Sequence, residues 1–154
     1  MKPSLAKTDL IGTKVARAAG DILDGGTTAL FTVAGGKVLI TGLVMENGVG
    51  ATDAASNAKF VMNPTAGTDA DMNAATAVGG SEVASLWNCP LNGSGSLTTG
   101  KGGGGVFKLA EGWVSAEGTI DVNTTVDTNV TNSATQTVEI WYFPLDVGAS
   151  IVAA

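Results

Sequence analysis

Residues 115–122, SAEGTIDV, are the stretch whose reading decides the fold. In an extended chain successive side chains point to opposite faces. Ser115, Glu117, Thr119 and Asp121 then fall on one side, and Ala116, Gly118, Ile120 and Val122 on the other. That alternation predicts a β-strand with one polar face and one face turned to a core. Working outward, residues 28–34 (TALFTVA) set Ala29, Phe31 and Val33 against Thr28, Leu30 and Thr32. Residues 37–46 (KVLITGLVME) and 137–143 (TVEIWYF) are apolar on both faces, the pattern of strands covered on both sides. Residues 59–62, 82–87 and 106–109 read as shorter strands, and residues 69–78 (DADMNAATAV) as one more. Gly, Asn, Asp and Pro stand between these runs, and no long segment repeats apolar residues at helical spacing. About eight strands with turns between them predict an all-β chain folded as a β-sandwich, with the jelly roll as its eight-strand form.

The composition narrows the function. A chain of 154 residues is one domain's worth and long enough to bury a single core. Charged residues make up only 14 % of it, against roughly 25 % in an average soluble domain. So few charges imply that much of the surface meets other subunits. The net charge of −6 and pI of about 4.3 argue against nucleic acid as a partner. No stretch reaches the ~18 apolar residues of a membrane span, and the N-terminus lacks the apolar run of a secretory signal. Synthesis in the cytoplasm is therefore expected. There is no histidine, which removes the commonest general base and metal ligand. The single cysteine, Cys89, cannot form an intrachain disulfide and is expected to be packed and inert. No cofactor, metal or enzymatic activity is expected.

Residues 1–25 hold four of the eight basic residues, Lys2, Lys7, Lys14 and Arg17, without clean alternation. They read as an N-terminal arm that packs on a neighbouring subunit, with the β-sandwich domain spanning 26–154. The other reading is a first strand with a frayed end. The four basic residues are candidate partner contacts, as are the apolar faces of residues 37–46 and 137–143.

Three patterns imitate chemistry. Gly95, Gly100 and Lys101 have the G-x-x-x-x-G-K spacing of a phosphate-binding loop. Position 102 is Gly where a magnesium-binding Ser or Thr belongs, and each glycine of 102–105 costs a following helix about 1 kcal/mol. The stretch is expected to be a long inter-strand loop with Lys101 solvated or touching a neighbour. Asp69, Asp71 and Asn73 match the first ligands of a calcium loop, but Ala74 and Gly80 stand at its invariant Gly and Glu positions. Glu111, Glu117 and Asp121 lie near one another as paired carboxylates might, yet a polar strand face explains Glu117 and Asp121 as solvated charges. The tryptophans Trp87, Trp113 and Trp141 are candidate partner contacts. Their alternatives are core packing and, for Trp87 or Trp113 beside the polar loop 92–99, stacking on a sugar ring.

Residues 59–86, the strand 118–122 and the tail TVEIWYFPLDVGASIVAA (137–154) resemble small virion proteins of tailed bacteriophages, the capsid decoration or cement type. Trp141, Pro144, Leu145, Gly148 and Ala149 match an aromatic-rich strand end and tail common in that group. The resemblance implies a jelly-roll or related sandwich, a trimer, a place on the capsid surface of the virion, and the major capsid protein as partner. It carries no catalytic residues. The alternative function is a phage fibre or lectin-like domain that binds host glycan.

Overall fold

The computed structural model describes residues 11–23, 25–48, 57–79, 82–100, 112–125 and 135–154. The elements among the described residues begin with the strands β1 (Thr13–Gly20), β2 (Gly26–Ala34), β3 (Val38–Asn47), β4 (Asn57–Pro64), β5 (Ala70–Asp71) and β6 (Thr76–Ala77). They are followed by β7 (Leu86–Asn88), β8 (Thr98–Gly100), β9 (Trp113–Ser115), β10 (Gly118–Thr125), β11 (Gln136–Pro144) and β12 (Ser150–Ala153). One sheet has the order β1-β11-β3-β7-β8, with β9 also on β3. The second has the order β12-β2-β10-β4-β5, with β6 also on β4. Every pairing is antiparallel, and the two sheets pack as a β-sandwich.

The core follows from the period of two. Ile40, Leu43, Met45, Val138 and Ile140 of the first sheet meet Phe31, Val33, Phe60, Met62, Ile120 and Val122 of the second. Fully burying such a side chain contributes about 1.5–3 kcal/mol, which sets the sandwich register firmly. Ile22 and Leu23 close one end of the core where the chain passes from β1 to β2. The Ile22 N–H donates to Gln136 Oε1 at 3.2 Å, and Gln136 Nε2 donates to Asn47 Oδ1 at 3.2 Å. This buried polar chain ties the crossover to β11 and β3.

The decisive stretch 115–122 proves to be two strands, one in each sheet. Ser115 ends β9 on β3, and Gly118 opens β10 between β2 and β4. Ala116 and Glu117 turn the corner, held by the Thr65 N–H donating to the Glu117 carbonyl at 2.9 Å. Gly118 has φ +149°, and a Cβ there would collide with the Asn63 carbonyl. Only glycine passes, and its lack of a side chain let the alternation run on unbroken across a change of sheet.

The expected arm over 1–25 needs correcting for residues 13–23. β1 is an edge strand of the first sheet, in register with β11 from Thr13↔Tyr142 to Arg17↔Val138. Val15 packs against the core, and the sandwich begins before residue 26. The alternation was hidden because β1 is rich in alanine, which sits on either face. Lys2 and Lys7 lie outside the described residues, as do the candidate strand 106–109, Lys101 and Glu111. Residues 69–78, read as a strand, form the two short strands β5 and β6 on β4.

Candidate interaction surface

The five candidate contacts among the described residues do not assemble into one site. Trp87 is fully buried, its indole inside the sandwich, so it neither stacks on a sugar nor meets a partner. Trp113 packs against the same core, with its ring 4.0 Å from where a Gly93 Cβ would stand. Trp113 therefore does sit beside the 92–99 loop, as a packing residue. Trp141 alone turns outward, on the outer face of the first sheet. Lys14 Nζ lies 2.6 Å from Glu139 Oε1 and 6.0 Å from the centre of the Trp141 ring. Arg17 sits at the odd spacing from Lys14, so it faces the other way, and its Nε is buried without a partner. Lys14 and Arg17 thus form no common basic patch.

The imitations of chemistry resolve into structure. Gly100 ends β8, paired with Leu86 of β7, where a phosphate loop needs a turn into a helix. Two backbone amides of the Gly95–Gly100 run, and one just before it, already have partners. Gly95 N–H donates to Asn92 Oδ1 at 2.7 Å, Gly93 N–H to the Met72 carbonyl at 3.1 Å, and Leu97 N–H to Thr76 Oγ1 at 2.9 Å. The first part of the glycine-rich stretch is therefore a folded lobe seated on residues 72–76. Its anchor is the calcium-like run. Asn73 is buried, accepts the Phe60 N–H at 2.8 Å and donates to the Ala74 carbonyl at 2.6 Å. Asp71 pairs with Lys59 Nζ at 2.9 Å. Cys89 lies under the same lobe, and burial pushes its thiol up to about 12, against a smaller lowering by the Leu91 backbone.

Asp121 departs from expectation. Glu117 is exposed, but Asp121 is only 5 % exposed, on the central strand β10 between Ala29 and Val61. Asn63 Nδ2 donates to its Oδ2 at 3.3 Å, and its Oδ1 has no partner. Flanking strands on both sides, rather than the polarity of the face, decide its burial.

One corner of the first sheet joins part of the apolar faces of 37–46 and 137–143, expected as contacts, to Val114, which sequence reading did not single out. Val114, Leu39 and Phe143 form one row across β9, β3 and β11. The turn after β11 continues it, with the Leu145 N–H donating to the Lys37 carbonyl at 2.9 Å. Val114 is 59 % exposed, Leu145 51 % and Val147 104 %, while Leu39 and Phe143 are half-buried. These are three of the five exposed large apolar side chains among the described residues; Val83 and Val152 lie elsewhere. The signal for the corner was present in the two-faced apolarity of 37–46 and 137–143, which lacked only its outer partner. Compared with known proteins, the chain matches no family model, no curated protein and no solved structure.

Proposed function

We propose that this chain is a virion structural protein. It decorates a tailed-phage capsid as a trimer, bound on the capsid surface between subunits of the major capsid protein, and performs no catalysis. The observation that carries the reading is the exposed apolar corner, held on a rigid antiparallel sandwich. Exposed apolar clusters on an otherwise polar surface mark places where another surface docks. Leu145, which belongs to the tail resembling decoration proteins, lies at that corner, and Trp141 lies on the same outer face. The low charged fraction fits a molecule most of whose surface is shared.

The jelly-roll form belongs to the same proposal. The orders β1-β11-β3-β7 and β2-β10-β4-β5 set strands distant in sequence side by side, which supports it. The glycan-binding alternative is weakened by the burial of Trp87 and the core packing of Trp113.

The mechanism is mass action. A protein that binds the assembled shell but not free subunits stabilises the shell by RT ln(1 + [L]/Kd), about 2.7 kcal/mol per site at a hundredfold excess over Kd. Trimerisation multiplies this through avidity. Sedimentation with assembled capsids and with dissociated capsid subunits tests the reading. The chain is expected to pellet with capsids and to leave the subunits alone. A chain that stays in the supernatant with both overturns it, and specific hits on a glycan array in that case point to the alternative.

A further inference from the structure

Asn-Gly occurs twice in the chain, at Asn47-Gly48 and Asn92-Gly93. An asparagine followed by glycine is a chemically labile point, because no Cβ shields the next backbone nitrogen from the side-chain amide. The fold treats the two copies oppositely. Asn47 is 1 % exposed; its Oδ1 accepts Gln136 Nε2 at 3.2 Å, and its Nδ2 donates to the Glu82 carbonyl at 3.4 Å. Both ends of that amide are held away from water. Asn92 is exposed, in the lobe of residues 89–97. Its Oδ1 accepts two backbone N–H groups, from Gly95 at 2.7 Å and from Ser94 at 3.3 Å. To meet both, the side chain folds back along its own C-terminal peptide, which turns Cγ toward the Gly93 nitrogen. Each glycine nitrogen also donates to a carbonyl, Gly48 to Thr135 at 2.6 Å and Gly93 to Met72 at 3.1 Å. That restraint is common to both copies, so the side chains decide between them.

We propose that Asn92 is a self-modification site, where the folded chain deamidates without an enzyme. The Gly93 nitrogen gives its proton to solvent hydroxide, attacks Asn92 Cγ and forms a new C–N bond. The carbonyl electron pair moves onto Oδ1, and the Gly95 and Ser94 amides already aimed at that atom hold the oxyanion. The Cγ–Nδ2 bond then breaks, and Nδ2 takes a proton from water and leaves as ammonia. One water molecule opens the resulting succinimide at either carbonyl, giving aspartate or isoaspartate at position 92. Ammonia is lost, water is gained, and no oxidant or reductant takes part. Isoaspartate sets one extra methylene in the main chain before Gly93. Gly93 then cannot stay on the Met72 carbonyl while the Gly95 carbonyl accepts the Ala74 N–H at 2.9 Å, so the lobe loosens on its seat. The proposal stands whether or not the chain binds a capsid.

The test is peptide mapping by mass spectrometry, with enzymatic labelling of isoaspartate, on the full chain aged at mildly alkaline pH. One sample is aged folded and a second in urea. In the folded chain the modification is expected many-fold more at Asn92 than at Asn47. In urea the two sites should react at similar rates, because only the fold separates them. Folded labelling at Asn47 that equals or exceeds that at Asn92, or none at Asn92, would overturn the proposal. A separation as large in urea would overturn it too, since the sequence and not the fold would then choose the site. Asn92→Gln, whose attack would have to close a larger ring, is expected to lose the signal at this position. The deamidated fraction, isolated by its added negative charge, should unfold at a lower urea midpoint than the fresh chain. An unchanged midpoint would overturn the loosening of the lobe.

Discussion

Asn73 shows how a polar residue earns a buried position. Both ends of its amide are engaged, one with the β4 backbone at Phe60 and one with Ala74, so it pins to the second sheet the run 72–76 on which the lobe of residues 89–97 sits. Asn73→Ala leaves the Phe60 N–H buried without an acceptor, and about 1–3 kcal/mol of stability should be lost in urea unfolding. Cys89 makes a pH prediction. At neutral pH its thiol is protonated in the folded and unfolded chains alike, so it adds no pH dependence. Above its ordinary value of 9.0 the unfolded chain releases the proton, while the folded chain holds it up to about 12. The folded state then binds more protons, and stability falls as pH rises through that window. Relative to Cys89→Ala, the native chain should lose on the order of 2 kcal/mol between about pH 7.5 and about pH 10.5, measured by paired urea melts. The inertness of Cys89 was legible from a chain without histidine, whereas the burial of Asp121 was not. Alternation reports which face a residue takes, and not how tightly the neighbouring strands close over that face.

At the scale of elements, the corner at Gly118 and the edge at β1 carry the lesson about legibility. The long strands β2, β3, β4 and β11 were readable to within a few residues, because Phe31, Ile40, Phe60 and Ile140 recur at the strand period. β8, β9 and β12 are only three or four residues long and owe their conformation to the strands beside them. No local pattern of that length can announce them. Gly118→Ala should destabilise the fold by about 1–3 kcal/mol or more, seen as a lowered urea midpoint, because a Cβ meets the Asn63 carbonyl at a positive φ. β1 changes what a truncation will do. Removing 1–20 strips β1 from β11, uncovers the core at Val15, and should lower the melting temperature by many degrees. The exposed Lys14–Glu139 pair adds little to that strand pairing. A double-mutant cycle across it should return under about 1 kcal/mol.

The whole molecule is an acidic sandwich that, among the described residues, exposes an apolar corner on its first sheet. Among the candidate contacts named from the sequence, the structure keeps Lys14 and Trp141 at the surface and takes Trp87 and Trp113 into or against the core. The corner itself was half legible. Two strands apolar on both faces asked for a covering layer, and a single chain does not say what supplies it. If that layer is the capsid, the protein's work is thermodynamic and has no chemical step. The most direct measurement is differential scanning calorimetry of assembled capsids over a rising concentration of the chain. Capsid Tm should climb with the logarithm of concentration once Kd is passed. A capsid Tm that stays level while the chain saturates its sites would contradict the proposal.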